Sequence, residues 1–309
     1  MSKVAFVFPG QGSQKVGMGL GAYEASDAAR AVFDEADAAL GEPLSRLCFE
    51  GPEEDLKLTA NTQPAVLATS VALLRALDAP FDVVAGHSLG EYSAHVAAGT
   101  LDFADALRLV RKRGQYMQDA VPYGEGAMAA VLKADRATVE RICAEVPGLV
   151  EPVNYNSPQQ IVIAGRTEAV SEAGTKLKAA GARASTLPVS APFHSSLMEP
   201  AEARLAEDIA ALEFSDPVAP VYVNVDAEPV TDAVAAKQAL IRQVSRPVLW
   251  EQSVRRMIDD GVSLFVEVGP GRVLSGLLAR IDKAAGRVSV QGPKDFDAAR
   301  EAIEEAKAG

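Results

Sequence analysis

A serine placed to act as a nucleophile is marked by Gly86-His87-Ser88-Leu89-Gly90, which fits the pattern G-x-S-x-G. An apolar run at 82–86 precedes it and a helical pattern to about 97 follows it. A sharp strand-to-helix turn lifts a hydroxyl clear of the backbone. Small flanking residues permit the strained turn, and the helix N-terminus favours developing negative charge. The same residues would also suit a plain glycine-bounded turn whose serine caps the helix. A catalytic serine needs a base, and the chain has 3 histidines. His87 adjoins Ser88 and is expected to point away from it. His95 lies two turns along the same helix and reads as a packed or surface residue. That leaves His194, in the proline-punctuated stretch 188–195, the kind of loop on which binding residues concentrate. A hydrolase triad would place an acid between the serine and a late histidine. Here a long stretch follows His194, and the intervening acids mostly fall on solvated-looking helical faces. A backbone carbonyl or an amide side chain fits better as the group that orients the imidazole.

One cation is out of place. The helical pattern at 102–119 carries its apolar stripe at Phe103, Ala106, Leu107, Val110, Gly114 and Met117. Arg108, Arg111 and Lys112 fall outside the stripe, whereas Arg113 sits on its edge, facing the protein body. A guanidinium there needs a carboxylate or carbonyl partner. It serves either a structural ion pair or a fork that takes a substrate carboxylate in two parallel hydrogen bonds.

The elements that must hold these groups alternate. Apolar runs at 4–8, 82–86, 221–225 and 264–268 read as buried strands. Helical patterns fall at about 22–40, 64–78, 102–119, 196–211, 233–244, 250–260 and 271–282, so a mostly parallel sheet covered on both faces is expected. Between them the rhythm changes to strand 127–132, helix 135–146, strands 149–154 and 160–164, helix 168–180 and strand 184–188. That β-α-β-β-α-β order is ferredoxin-like. The expected fold class is therefore α/β, with a core formed by 1–122 and 189–309 and a small inserted subdomain at 123–188.

Composition removes several classes of function. With 309 residues, 48% apolar and 23% charged, the chain has the make-up of a globular protein. Its net charge of −12 disfavours nucleic acid and anionic lipid as partners. No apolar stretch approaches the ~18–20 residues that span a bilayer. The first apolar run stops at Pro9-Gly10, too early for a signal peptide, so a cytoplasmic location is expected. Cys48 and Cys143 lack metal-ligand spacing and read as small buried hydrophobes; no metal site is expected. The glycine-rich stretch 10–17 follows a strand yet fails both nucleotide templates. The dinucleotide fingerprint wants glycine where Lys15 stands, and the phosphate loop wants Lys and Ser/Thr where Met18 and Gly19 stand.

Taken together, Phe8-Pro9-Gly10-Gln11-Gly12-Ser13-Gln14, Thr62-Gln63-Pro64-Ala65, Gly86-His87-Ser88-Leu89-Gly90-Glu91-Tyr92-Ser93, Arg113-Gly114, Asn154-Tyr155-Asn156-Ser157-Pro158, Phe193-His194 and Glu267-Val268-Gly269-Pro270-Gly271 resemble the malonyl-CoA:acyl carrier protein transacylases of bacterial fatty-acid synthesis. The resemblance runs along nearly the whole chain. It implies a hydrolase-like core carrying a ferredoxin-like subdomain, no cofactor, and a monomer whose partners are malonyl-CoA and a holo acyl carrier protein. Residue by residue it implies Ser88 as the acylated nucleophile, His194 as its base and Arg113 as the clamp for malonate's free carboxylate. Gln11 and the backbone N–H of Leu89 would form the oxyanion hole, and Gln243 would help to orient the histidine. Phe193 would crowd the space that a methyl on malonyl C2 needs. Two other readings stand beside this one: a free-standing malonyl transferase of a polyketide synthase, and a serine esterase or thioesterase. For an acidic carrier protein, Arg246, Arg272, Arg280 and Lys283 are the expected landing patch.

Overall fold

The computed structural model describes residues 2–189 and 191–308. Two sheets organise the chain. The larger contains β1 (Lys3–Phe8), β2 (Val83–Gly86), β7 (Val221–Tyr222), β8 (Pro229–Val230), β9 (Val262–Val268) and β10 (Gly286–Val290). Its spatial order is β10-β9-β1-β2-β7-β8, parallel throughout except for the antiparallel β7–β8 edge. β1 and β2 lie at its centre and are almost wholly apolar, as strands covered on both faces must be. The smaller sheet contains β3 (Gly126–Leu132), β4 (Val150–Ser157), β5 (Gln160–Arg166) and β6 (Arg183–Thr186), in the antiparallel order β4-β5-β3-β6. Helices Arg136–Glu145 and Thr167–Ala179 complete the ferredoxin-like arrangement. Its core is a separate apolar cluster that includes Val131, Val139, Ile163 and Leu177. The small sheet is stitched to the core where Val248, outside either sheet's strands, exchanges backbone hydrogen bonds of 2.8 and 2.9 Å with Val153 and Tyr155 of β4.

Several boundaries differ from the expected ones, each for a local reason. The helix expected at 22–40 is two, Leu20–Ala25 and Asp27–Leu40, because Ser26 adopts extended φ/ψ and caps the second by accepting from the Ala29 N–H. The helix expected from Pro64 starts at Thr59, with Pro64 inside it. Gly114 packs on that added first turn, where a Cβ would lie 2.7 Å from the Ala60 Cα. At the C-terminal end, β10 and helix Phe296–Ala308 extend the parallel layer beyond the last expected helix.

Because the central strands run parallel, the loops after β1, β2 and β7 emerge on one edge of the sheet, the usual place for a ligand crevice. They carry Gln11, Ser88 and Asn224. His194 comes from the segment that leaves the small sheet. There Pro192 lies so close to β3 that a Cβ on Gly126 would come within 2.4 Å of it. Glu151 of β4 holds the same segment by accepting from the Ser196 N–H and hydroxyl at 2.8 and 3.0 Å.

Candidate active site

Ser88 sits in a left-handed backbone conformation, φ 52° and ψ −108°, between β2 and helix Leu89–Ala97. Such a non-glycine residue stores about 1–3 kcal/mol and persists only where its surroundings over-determine it. The two glycines of the pentapeptide are sterically required. A Cβ on Gly86 would lie 1.9 Å from the Gly90 carbonyl carbon, and one on Gly90 would lie 2.0 Å from the Phe8 carbonyl oxygen. The elbow is thus pressed against the end of β1. Leu89 opens the helix, so its N–H has no partner within that helix, and the residue lines the cleft beside Ser88.

His194 meets this serine. Its Nε2 is 2.7 Å from Ser88 Oγ, and its Nδ1 is 2.9 Å from the backbone carbonyl oxygen of Gln243. A carbonyl only accepts, so Nδ1 carries the proton and Nε2 is left as the acceptor for the serine hydroxyl. Burial, reinforced by the positive charge of Arg113, holds the His194 pKa down at about 3. The imidazole is therefore neutral and able to take a proton. A main-chain carbonyl stands where hydrolases of this pattern place a carboxylate. His87 turns away, as expected, with Nε2 2.8 Å from Asn156 Oδ1 and its ring against Trp250. His95 is packed, fully buried, with neither ring nitrogen hydrogen-bonded.

Arg113 is 1% exposed. Its guanidinium donates to Gln63 Oε1 at 2.8 Å, to Gln243 Oε1 at 2.9 Å and to Ser88 Oγ at 3.1 Å, and lies over the Tyr92 ring. These acceptors are neutral. Among the described residues no carboxylate lies within ion-pair distance of Arg113; every ion pair made by another arginine or lysine involves side chains nearer the surface. Glu91, a buried acid whose charge acts on Arg113 without an ion-pair contact, has its pKa pushed up to about 7 by burial. The structural ion pair is therefore not formed, and a buried positive charge stands one hydrogen bond from the serine oxygen. Burial of the guanidinium lowers its pKa, yet arginine stays protonated at any physiological pH.

Gln243 joins the parts. Its backbone holds His194, its Oε1 holds Arg113, and its Nε2 donates to the Ser88 carbonyl at 2.9 Å. Gln11, whose Nε2 donates to Thr59 Oγ1 at 3.2 Å, lines the same cleft with Leu89 and Phe193. The cleft offers about 120 Å³ of free space, closed on the small-sheet side by Met128, Leu187 and Val189. Six of the seven candidate residues thus line one cavity, and Gln243 stands behind it, bonded to three of them, Ser88, Arg113 and His194. Sequence reasoning did not single out Gln63, quoted only within a motif, nor the buried Asn224 that accepts from the Ser88 N–H at 2.7 Å. Neither has a spacing signal, since the partner of each is far along the chain. The motif residue Glu267 turns out to act away from the cleft, accepting from the N–H groups of Leu274 and Ser275 to cap a helix. Arg246, Arg272, Arg280 and Lys283 are all exposed. Cys48 and Cys143 are buried free thiols, and among the described residues no cluster of His, Cys, Asp and Glu could hold a metal ion.

Residues 5–290 match the family described as the acyl transferase domain. The malonyl CoA-acyl carrier protein transacylase of Escherichia coli K12 is 49% identical over 309 residues, covering 97% of this chain and 100% of that protein. The protein of the same name from Bacillus subtilis is 46% identical over 312 residues, covering 99% and 98%. Among solved structures, an acyl carrier protein S-malonyltransferase from Vibrio cholerae superposes with a TM-score of 0.94 at 48% identity, covering 96% of this chain and 100% of that one. A malonyl transacylase solved in complex with its type II polyketide synthase acyl carrier protein superposes with a TM-score of 0.95 at 45% identity, covering 97% and 100%.

Proposed function

Because the chain belongs to the malonyl-CoA:acyl carrier protein transacylase family of acyltransferases, we propose that it moves a malonyl group from malonyl-CoA to the phosphopantetheine thiol of an acyl carrier protein through an ester on Ser88. The observation that carries this reading is the buried, carboxylate-free Arg113 at 3.1 Å from Ser88 Oγ. Malonate's free carboxylate lies only two bonds from its thioester carbonyl, so a cation this close to the nucleophile suits a short dicarboxylic half-thioester. A neutral acyl group would leave that buried charge without a counter-ion, at a cost of several kcal/mol.

The steps follow from the geometry. Ser88 Oγ attacks the thioester carbonyl while His194 Nε2 takes its proton, and the imidazolium formed keeps its Nδ1–H on the Gln243 carbonyl. The oxyanion is held by the N–H of Leu89 together with Gln11, at roughly 3–4 kcal/mol per donor. The C–S bond breaks, coenzyme A leaves with the proton from His194, and the malonyl-serine ester remains. The carrier thiol then gives its proton to His194 and attacks the ester carbonyl; the C–O bond breaks and Ser88 leaves with that proton returned from His194, so the kinetics are ping-pong. Phe193 beside the histidine narrows the space at malonyl C2, a discrimination of ~1–3 kcal/mol per methyl.

In this reading the core is 1–122 with 189–309, the subdomain is 123–188, and the enzyme works as a cytoplasmic monomer. Arg246, Arg272, Arg280 and Lys283 form the carrier's landing patch. Among the described residues no helix is long and apolar enough to cross a membrane. The solved neighbour bound to a polyketide carrier favours one second reading, in which the carrier serves polyketide rather than fatty-acid synthesis. An esterase fits poorly with a neutral orienting group and a buried cation. The test is labelled malonyl-CoA with a purified holo carrier protein, scored for transfer against hydrolysis. Malonyl should appear on Ser88 by intact mass and pass to the carrier, and Ser88→Ala should form no adduct; an adduct persisting in Ser88→Ala moves the nucleophile elsewhere.

A further inference from the structure

The geometry points to Asn224 as a positioning residue for the nucleophile. It rests on the reading of Ser88 as the acylated serine. The Asn224 side chain is fully buried and uses both ends of its amide on the elbow. Oδ1 accepts from the Ser88 N–H at 2.7 Å, and Nδ2 donates to the Gly86 carbonyl at 2.7 Å. One planar group therefore spans the bend, satisfying the last carbonyl of β2 and the N–H of the strained residue. The amide cannot swing away, because its own backbone is tied on both sides. Its N–H donates to Glu91 Oε2 at 2.7 Å, and its carbonyl accepts from the Leu249 N–H at 2.9 Å. Across the serine, Gln243 Nε2 holds the Ser88 carbonyl at 2.9 Å. Both peptide groups of a residue at φ 52° are thus fixed by side chains from distant segments.

The two amides are not equivalent. Gln243 also holds His194 and Arg113, so changing it disturbs base and clamp together. Asn224 acts on the elbow alone. Its loss leaves the Ser88 N–H and the Gly86 carbonyl unpaired, letting Ser88 relax from the position where Oγ meets His194 Nε2. The clamp and the cleft walls remain as they were. Acylation should therefore slow without a matching loss of substrate binding.

The experiment compares Asn224→Ala and Asn224→Asp with the parent. It measures the single-turnover rate of malonyl-Ser88 formation by quenched intact mass, the KM for malonyl-CoA, and thermal melting. Asn224→Ala should acylate at least tenfold more slowly, with KM within twofold of the parent. Asn224→Asp keeps an oxygen for the Ser88 N–H and should recover part of that rate. Acylation by folded Asn224→Ala at the parent rate, or a KM rise that matches the loss of rate, overturns the inference. Should Asn224→Ala fail to fold, Asn224→Asp decides alone: at least a threefold slower rate at unchanged KM supports the role, and the parent rate overturns it. A parent with no adduct on Ser88 overturns the underlying reading, and this inference with it.

Discussion

The two sheets solve burial in opposite ways. The core of the small antiparallel sheet is apolar, built from residues such as Val139, Ile163 and Leu177, and its charges lie outside it in short-range pairs such as Arg136–Glu140 and Arg141–Glu145. The carboxyl edge of the large parallel sheet instead buries Gln63, Glu91, His95, Arg113, His194, Asn224 and Gln243. Buried polar groups are costly unless satisfied. Here most are satisfied by one another across long stretches of chain, while Arg113 is given acceptors but no counter-charge. The contrast separates a region that stabilises from a region that holds chemistry ready.

Substitutions in each region can break that division. The largest effect should come from the apolar side. Ile163→Ala should cost about 2–5 kcal/mol of stability by denaturant unfolding, yet leave the malonyl-to-acetyl ratio within twofold; a shifted ratio would show that the small sheet tunes the cleft. Next, Arg113→Ala should lower kcat/KM for malonyl-CoA about 100-fold, roughly 2.7 kcal/mol, and raise relative use of acetyl-CoA. Unchanged malonyl transfer would refute the clamp. Smaller still, Gln63→Glu places a carboxylate where a neutral amide now meets the guanidinium at 2.8 Å. Supplying the missing counter-charge should reduce malonyl preference about tenfold, and full retention would show that the neutrality of that partner is immaterial.

The smallest effect is on pH. His95 and His194 are held near pKa 3 by burial, against an ordinary 6.5, and burial lowers His87 too. Below about pH 6.5 the unfolded chain takes up protons that the folded chain refuses, so these groups make stability fall as pH drops toward 3. Glu91, raised from 4.5 to about 7, works the other way, losing stability as pH rises across that interval. The histidines outnumber it, so melting temperature should rise from pH 4.5 to 6.5. His95→Leu should flatten that slope, by up to ~1.4 kcal/mol per pH unit. An unchanged slope would mean that His95 is not held neutral in the folded protein.

What could be read from sequence follows the range of the forces involved. Ser88 was visible because its turn is a local pattern, strand, two glycines and helix. Arg113 was visible because a cation on an apolar stripe is a conflict within one helix. His194 emerged by elimination among three histidines. Gln63, Asn224 and the burial of Glu91 were hidden, since each depends on a partner brought close only by the folded chain. The same limit governs the fold. Pro64 suggested a helix start by the usual preference for a first-turn proline, yet the helix runs back to Thr59, where Gly114 of another helix allows close approach. Strand β10 escaped notice because it lies at the sheet edge with few buried residues and lacks an apolar run. The ferredoxin-like unit was legible because its elements alternate in a compact order.

The serine, its base and the amide that ties them to the guanidinium are far apart in the chain: Ser88 lies 106 residues from His194 and 155 from Gln243. Closing loops that long carries an entropy cost that only a finished fold recovers. A nascent or broken polypeptide ending before Gln243 would therefore carry an inert hydroxyl, unable to waste thioester by splitting it with water. Regain of transfer activity on refolding would accordingly report completion of the whole topology rather than of any one piece.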